Sequence, residues 1–454
     1  MDRRLNRRQF LKNSGAAGAA GVGFWVAGRQ TGFGQEKSPN AKLNVASIGT
    51  GGQGGSDMNS VGKTENIVAL CDVDKPRLEE AGKKYPNAKK FTDYRKMLDE
   101  CQKEIDAVTV GTPDHHHAPA SVMAMRLGKG CYTEKPLTHD VYEARVMCET
   151  AKKHKVATQM GNQGSAGDNL RKSVELIQSG LIGEVTEVHL WTNRPIWPQS
   201  PDIKARPKDT PPVPDTVDWE CWLGPAPERP YHKVYLPFKW RGWWDFGTGA
   251  LGDMACHTTN LPYRALKLGA PTSVEAESEA PNPETCQGWA KVTYQFPARG
   301  TMPACKVIWY EGKKSADERV APPLDLLQGE KLSGSGSLLV GSKGTLLSPD
   351  DYGGNSIWLP KDKFKDTLKE FKTTVQVPRS PGHHAEWIRA CKGGEPAYSN
   401  FEIAGPFTEF VLLGNVAIRT QKKLEWDSAN LKATNCPEAD QYIKRQPRKG
   451  WDWV

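Results

Sequence analysis

A glycine-rich turn that directly follows an apolar segment constrains the fold of this chain more than any other feature. Residues 43–48 read as an apolar strand, and the turn Gly49-Thr50-Gly51-Gly52-Gln53-Gly54 leads from it into a predicted helix. In that context the first glycine permits a tight turn, the second lets a pyrophosphate approach the backbone, and the third allows helix and strand to pack closely. Amides at the helix N-terminus add a partial positive charge. The sequence therefore predicts that these six residues bind a dinucleotide; a glycine turn that binds nothing is the alternative.

Asp72 indicates which dinucleotide is expected. It lies eighteen residues after Gly54, at the end of a second predicted strand over 67–71. A carboxylate at this place accepts hydrogen bonds from the adenosine ribose hydroxyls, and its charge repels a 2′-phosphate. We therefore expect NAD(H) rather than NADP(H) as the cofactor.

Strands and helices alternate up to residue 160. The further apolar segments that read as strands are 105–110, 130–133 and 156–160. A helix is predicted from Asp140, with Glu143 as its capping-box partner, to about His154. This alternation predicts an α/β fold with a doubly wound parallel sheet, a Rossmann dinucleotide-binding domain, over 43–160.

The pattern changes after this domain. A helix near 167–179 precedes segments of alternating polarity, such as 185–191 and 291–296, which read as strands with one wet face. Residues 161–454 are therefore predicted to form an α+β domain with a largely antiparallel, open sheet, which would bind the substrate. An open sheet face would also suit a homo-oligomer.

The first 35 residues have the pattern of an export signal. Arg7 and Arg8 precede a Phe-Leu-Lys triplet and a weakly apolar run at 14–27. This predicts a twin-arginine signal over 1–35 and a linker over 36–42, with the twin-arginine export machinery as partner and the periplasm or another extracytoplasmic space as destination. The apolar run is too short to span a membrane. Because no Ala-x-Ala cleavage site is obvious, a retained membrane anchor is the alternative.

Charge and cysteine content argue against a nucleic-acid-binding protein and against a protein stabilised by zinc or disulfides. The net charge is +8, but residues 1–37 hold seven Lys or Arg against two acidic residues, and this balance of +5 leaves +3 for the rest. We therefore expect no nucleic-acid partner. The ten cysteines include no Cys-x-x-Cys pair, so neither a zinc site nor a disulfide framework is expected.

Two polar segments follow predicted strands at the sheet edge where ligands of such folds bind. The first, residues 112–117, ends in three consecutive histidines. Because consecutive residues entering a helix splay around its axis, the three rings cannot all reach one metal ion, and polar contacts with the cofactor are expected instead. The second is the Glu-Lys-Pro segment at 134–136, in which proline fixes a turn that aims Lys135 inward.

A second dense signal lies at 247–257, where glycines precede Asp253 and His257. Because the two are four residues apart, they share one face of a predicted helix. A carboxylate beside an imidazole can orient it and raise its basicity, which suits removal of a proton from an alcohol. His257 is therefore the predicted general base, with Asp253 as its partner and as a substrate ligand. A structural i,i+4 pair is the alternative, and Cys256 is expected to be packed.

The glycine turn and the Glu-Lys-Pro segment resemble the Gfo/Idh/MocA oxidoreductases, named for glucose–fructose oxidoreductase and inositol dehydrogenase, over about 42–420. The resemblance implies that Lys135 borders the nicotinamide and the substrate, and that it forms a catalytic set with Asp253 and His257 in which it polarises the reacting oxygen. Ala255 departs from the glycine common at that position in the family. The cofactor contacts assigned outside the glycine turn and Asp72 are Thr112, Pro113, Asp114, His117, Glu134, Lys135 and Asn162.

Aromatic residues near the predicted catalytic helix indicate the substrate. Seven of the fifteen tryptophans fall between Trp191 and Trp244. Indole faces stack on the C–H faces of sugars, and Arg241 can bind hydroxyls or an acid group. We therefore predict a carbohydrate or polyol that contacts Trp240, Arg241, Trp243 and Trp244; core packing or an oligomer interface is the alternative. No role is assigned to three residues at the start of a late predicted helix, which are His383, His384 and Trp387.

Together these features predict an NAD-dependent oxidoreductase that transfers a hydride to or from a sugar or sugar derivative. Export sharpens the prediction, because a compartment without free NAD favours a cofactor that is retained and regenerated in each cycle. Coupled oxidation of one sugar and reduction of another fits, and so does glycoside cleavage through a transient 3-keto sugar. The alternative from another class is a non-catalytic sugar-binding or sensor protein.

Overall fold

The structure, a computed structural model, describes residues 41–196 and 198–453. The predicted export signal over 1–35 lies outside these residues. The described chain contains a parallel sheet near its start and a larger mixed sheet after it. The two halves of the fold predicted from the sequence are both present.

The first sheet has six parallel strands in the order β3-β2-β1-β4-β5-β6, which is the doubly wound Rossmann order. Its strands are β1 (Asn44–Ile48), β2 (Asn66–Cys71), β3 (Lys89–Phe91), β4 (Ala107–Val110), β5 (Gly130–Thr133) and β6 (Thr158–Met160). The helices between them are α1 (Gly52–Val61), α2 (Lys75–Lys84), α3 (Tyr94–Cys101), α4 (His117–Arg126) and α5 (Val141–His154). The α/β class predicted for this part is confirmed.

The second sheet has nine strands in the order β13-β12-β11-β7-β10-β9-β8-β14-β15. They are β7 (Val185–Trp191), β8 (Ser273–Ser278), β9 (Trp289–Phe296), β10 (Cys305–Gly312), β11 (Gly336–Gly341), β12 (Gly344–Ser348), β13 (Ile357–Leu359), β14 (Leu424–Asp427) and β15 (Lys432–Ala433). Only β7 and β10 pair in parallel among these strands, so the predicted antiparallel character is confirmed. The accompanying helices are α6 (Asp168–Gln178), α7 (Trp219–Leu223), α8 (Gly249–Thr258), α9 (Asn260–Ala265), α10 (Lys361–Glu370), α11 (His383–Cys391), α12 (Phe401–Thr420) and α13 (Asp440–Ile443).

Helix α12 joins the two sheets into one core. It packs against α5 of the first part and against α8 and β8 of the second, and Phe407, Phe410 and Leu413 are among its buried side chains. Its length and composition would allow it to cross a membrane, but 83% of its apolar window is buried within the fold. The apolar surface of α12 is therefore used for packing, and it holds α8 at the edge of the parallel sheet.

Candidate active site

A cleft of about 360 Å³ lies at the carboxyl edge of the parallel sheet. Residues that follow β1, β2, β4 and β5 line it, together with α8 and the aromatic segment before α8. The residues assigned from the sequence that line it are Gly49, Gly51, Gly52, Gln53, Asp72, Thr112, Pro113, Asp114, Glu134, Lys135, Trp240, Arg241 and His257. The structure thus brings most of the predicted cofactor, catalytic and substrate residues to one surface.

The glycine turn is shaped by close backbone packing. Gly49 has a φ of +86°, and a Cβ added there would lie 2.5 Å from the carbonyl oxygen of Gly111 after β4. A Cβ on Gly54 would lie 2.5 Å from the carbonyl oxygen of Gly49. Gly51 is the N-cap of α1, where no side chain caps the helix. The uncapped amides at this helix N-terminus fit the pyrophosphate of a dinucleotide.

Asp72 closes the other side of this turn. Its Oδ2 accepts hydrogen bonds from the amide and the hydroxyl of Thr50, at 2.8 Å and 3.1 Å, and its Oδ1 accepts one from the amide of Asp74. Thr50 does not line the cleft and acts on it through Asp72. Burial raises the pKa of Asp72 while these amides oppose the shift. A carboxylate positioned in this way fits ribose hydroxyls as hydrogen-bond donors.

Lys135 meets α8 at the opposite end of the cleft. Its ammonium lies 2.5 Å from Oδ1 of Asp253 and 3.2 Å from the Asp253 carbonyl oxygen. The guanidinium of Arg241 lies 3.2 Å from the same Oδ1, and the side-chain amide of Gln199 donates to Oδ2. Asp253 itself does not line the cleft. Its carboxylate instead holds two side chains that do line the cleft, Lys135 and Arg241.

The protonation states of Asp253 and Lys135 depend on their contacts with each other and with Arg241. Burial alone would raise the pKa of Asp253, but Arg241 and Lys135 more than offset it and bring the pKa below its usual value. Burial would lower the pKa of Lys135, whereas Asp253 raises it above its usual value. Asp253 is thus an anion and Lys135 a cation around neutral pH. Asp114, 3.6 Å from Arg241, differs because burial raises its pKa to about 6.

His257 lies one helical turn after Asp253 and lines the cleft, but no hydrogen bond joins the two side chains among the described residues. The oxygens of Asp253 are taken by the groups just described, and Nδ1 of His257 has no hydrogen-bond partner among the described residues. Burial and then the charge of Lys135 lower the pKa of His257 to about 3, against the opposing charge of Asp253. His257 is therefore a neutral imidazole, packed edge-on against Tyr352 with ring centroids 4.9 Å apart.

Two predicted cofactor contacts do not reach the cleft. Both ring nitrogens of His117 lie against backbone carbonyls, Nδ1 at 2.7 Å from that of Pro136 and Nε2 at 2.9 Å from that of Thr112. A 3-10 turn over Asp114–His116 precedes α4 and rotates the rings, so His116 lines the cleft instead. The other is Asn162, which is buried without facing the cleft, whereas the residue after it does line it.

Two of the four predicted substrate residues are also corrected. Trp243 is fully buried, and its indole N–H donates to the carbonyl of Val234 within an aromatic cluster. Trp244 is buried and donates to the carbonyl of Asn282. Because alternate aromatic side chains of this short segment point in different directions, only Trp240 and Arg241 face the cleft. The core-packing alternative thus holds for Trp243 and Trp244.

Several cleft residues carried no signal in the local sequence. They come from segments distant along the chain and include Gln163, Trp222, Phe238, Tyr352 and Trp451. Gln199, which holds Asp253 from a proline-rich loop behind the cleft, also carried no signal. A long proline-rich loop is expected to shape a binding site, but its sequence does not show which of its side chains contacts the site residues.

Comparison with known proteins agrees with this geometry. Residues 43–162 match the oxidoreductase family model GFO_IDH_MocA, an NAD-binding Rossmann fold, and residues 168–321 match its C-terminal alpha/beta domain. A glycosyl hydrolase family 109 protein of Solibacter usitatus is 29% identical over 201 residues, which are 40% of this chain and 44% of that protein. Inositol 2-dehydrogenase of Salmonella typhimurium is 26% identical over 152 residues, which are 32% of this chain and 45% of that protein. The chain thus spans less than half the length of these relatives.

Solved structures show the same fold. The WlbA dehydrogenase of Chromobacterium violaceum, in complex with NADH and UDP-GlcNAcA, has a TM-score of 0.59 at 17% identity, with 85% of this chain and 96% of that chain covered. The aldose-aldose oxidoreductase of Caulobacter crescentus has a TM-score of 0.54 at 16% identity, with 85% and 100% covered. With both family models matched in order and the dinucleotide site intact, this chain belongs to the Gfo/Idh/MocA family of NAD-binding oxidoreductases.

Proposed function

We propose that this chain is an exported NAD-dependent oxidoreductase that acts on a CH–OH group of a sugar or sugar derivative and keeps its cofactor bound through the catalytic cycle. The observation that supports this most is the ammonium of Lys135, held at the cleft wall by Asp253 and close to His257 at one end of a dinucleotide site. A binding or sensor protein would not need a buried ion pair to position a cation there.

The residues of this site suit alcohol oxidation. A bound nicotinamide supplies the hydride acceptor or donor. Lys135 uses two contacts on Asp253, which leaves one N–H to polarise the reacting oxygen and stabilise its developing charge. Neutral His257 takes the hydroxyl proton as the C–H bond breaks.

Trp240 and Arg241 suit a carbohydrate at the same end of the cleft. The guanidinium of Arg241 lies over the Trp240 ring, 4.4 Å from its centroid, and both residues line the cleft. Sugars offer the matching pair of surfaces, C–H faces and hydroxyls.

Retention of the cofactor follows from export, because a released reduced cofactor could not be reoxidised outside the cytoplasm.

The first test examines the purified mature protein. Denaturation should release NAD(H), detected by absorbance and mass spectrometry; a protein without nucleotide would refute cofactor retention. Lys135→Ala and His257→Ala should lower turnover by at least about 100-fold while nucleotide stays bound, and Lys369→Ala at an exposed position serves as the control. Wild-type rates in either site variant would refute the role of that residue.

Redox-neutral glycoside cleavage is the second candidate, and the family 109 relatives support it. In this chemistry, oxidation of a sugar hydroxyl to a ketone acidifies the neighbouring C–H, and loss of that proton eliminates the aglycone. Water then adds to the resulting double bond, and the hydride returns to the ketone. Incubation of the holo-protein with 4-nitrophenyl glycosides distinguishes the candidates. Nitrophenol release without net cofactor reduction indicates cleavage, a stable keto sugar indicates the oxidoreductase, and neither product indicates a sugar-binding protein.

A further inference from the structure

A pair of carboxyl groups is buried beside the cleft without a role in the mechanism above. Asp57 on α1 and Glu134 after β5 are 1% and 5% exposed, and their carboxyl groups lie on either side of the Tyr132 hydroxyl. Glu134 lines the cleft beside Lys135. Burial makes ionisation of two neighbouring carboxyl groups unfavourable, which favours a proton held on the pair.

The surroundings of the pair are built to hold it in place. The hydroxyl of Tyr132 lies 3.5 Å from Oδ1 of Asp57 and 3.4 Å from Oε1 of Glu134, and it bridges the two. The side-chain amide of Gln163 donates to Oε1 of Glu134 at 3.0 Å. A Cβ on Gly161 would lie 2.0 Å from the same oxygen, so glycine is required there to make room for the carboxyl group.

His384 connects the pair to solvent. This residue had no role in the sequence analysis, yet its Nε2 lies 2.9 Å from Oδ1 of Asp57 and its ring stacks on Tyr132 with centroids 5.0 Å apart. The His384 side chain is 20% exposed. A chain of hydrogen-bonding groups thus runs from Glu134 at the cleft, through the Tyr132 hydroxyl and Asp57, to His384 at the protein surface.

The pKa directions agree with a shared proton. Burial raises the pKa of Asp57, and burial and the charge of Asp57 raise the pKa of Glu134. Burial lowers the pKa of His384, against the charge of Glu134. The titratable and charged groups that face this cluster are Lys63, Tyr132, Lys135, Arg241, Cys256 and His383. The charge of Lys135 opposes the rise in the pKa of Glu134, although the Lys135 ammonium is itself paired with Asp253.

We propose that Asp57 and Glu134 form a proton store that holds about one proton more when the cofactor in the cleft is reduced than when it is oxidised. The reason is electrostatic: the oxidised nicotinamide ring carries a positive charge, which favours an ionised carboxylate nearby, and the reduced ring does not. Protons enter and leave the pair through His384 or through the cleft. This proposal rests on the proposed function, since it requires cofactor turnover at this site.

The proton balance fits a cofactor that is retained. When an alcohol is oxidised, its C–H bond breaks and the hydride, with both electrons, passes to the cofactor. The O–H bond also breaks, and its proton passes to His257 and then into the cleft. As the positive charge on the ring disappears, Glu134 and Asp57 take up one proton. When the hydride returns, the pair releases that proton, so hydride and proton are stored and returned together.

The test measures how many protons are taken up when each nucleotide binds. Bound nucleotide is first removed from the full-length protein, which is then titrated by calorimetry with NAD+ and with NADH. The titrations are repeated in buffers of different ionisation enthalpy, which gives the number of protons. Near neutral pH, binding of NADH should take up about one proton more than binding of NAD+. Glu134→Gln and Asp57→Asn should each abolish this difference. The wild-type ratio of NAD+ to NADH affinity should rise roughly tenfold per pH unit within the titration range, and it should be flat in Glu134→Gln.

Glu311→Gln is the matched control. Glu311 is a buried carboxyl outside the cleft, held by Trp309 and Gln287, and burial raises its pKa to about 7. This variant should keep the wild-type proton difference. Equal proton uptake with both nucleotides in the wild type, or an unchanged difference in whichever of the two pair variants folds, would overturn the proton store. Binding of neither nucleotide would instead overturn the proposed function.

Discussion

At the scale of single residues, Asp253 shows how a side chain can organise a site that it does not face. It lies behind the cleft wall and holds Lys135, Arg241 and Gln199. Without this carboxylate, Lys135 and Arg241 would lie buried close together, and Lys135 would lose the carboxylate that it pairs with. Removal of one partner of a buried ion pair strongly lowers the free energy of unfolding, because the other charge is left buried without compensation.

Asp253→Asn should therefore destabilise the protein by about 2–4 kcal/mol at neutral pH. Because the pKa of Asp253 is below its usual value of about 3.9, its contribution is present above that pH and is lost as pH falls toward the lower, folded-state pKa. The difference between wild type and variant should thus narrow below about pH 4. Urea unfolding across a pH series measures it.

Asp366→Asn, at an exposed position, is the control and should leave stability unchanged within about 0.5 kcal/mol. A stability difference for Asp253→Asn that stays constant with pH would show that the lost interaction does not depend on the carboxylate charge.

The sequence predicted which residues line this site better than it predicted the contacts between them. Lys135 and His257 were identified because a motif or a helical spacing marks them. The exchange of His117 for His116, and the separation of His257 from Asp253, could not be predicted, because a single 3-10 turn and three competing partners decide them. Such contacts depend on residues brought together from distant parts of the chain.

At the scale of elements, the glycine turn combines two separate requirements. Gly54 is needed for packing, because a Cβ there would meet backbone oxygens of Gly49 and Gly111 at 2.5 Å and 2.8 Å. Gly51 has a different environment: the three atoms nearest to a Cβ there all belong to the side chain of Arg77, which can move. The two glycines therefore allow packing and ligand approach to be tested separately.

Gly54→Ala should destabilise the protein by about 1–3 kcal/mol, because the backbone must move to relieve the clash. Gly51→Ala should leave stability nearly unchanged and weaken nucleotide binding, since the methyl group occupies the space next to the uncapped helix N-terminus. Thermal unfolding and NADH fluorescence titration measure the two effects. Loss of stability in Gly51→Ala, or none in Gly54→Ala, would contradict this division of roles.

Elements with strong local signals were predicted well. The capping box of α5 is present, with the Asp140 carboxylate 2.9 Å from the amide of Glu143. Strand β3 was missed because Lys89 and Lys90 are exposed and give no apolar pattern. It forms at the sheet edge by pairing with β2, and tertiary pairing of this kind leaves no trace in a short polar segment.

At the scale of the whole molecule, export by the twin-arginine route remains a prediction that links location to chemistry. The double variant Arg7→Lys, Arg8→Lys should accumulate inside the cytoplasm with NAD bound, because the paired arginines are what the route reads. The first pair in the sequence gives a matched control, Arg3→Lys, Arg4→Lys, which should be exported normally. Cell fractionation and immunoblotting measure both. Normal export of the first variant would contradict the assigned signal.

The cleft has a consequence for the timing of cofactor capture. Its walls include Gly49 and Trp451, which are about four hundred residues apart in the sequence. At roughly 5–20 residues per second of synthesis, the ribosome needs roughly 20–80 s to pass from one to the other. The nucleotide can therefore meet a complete binding surface only after Trp451 has left the ribosome. A bound nucleotide thus distinguishes chains that have been synthesised as far as Trp451 from shorter nascent ones.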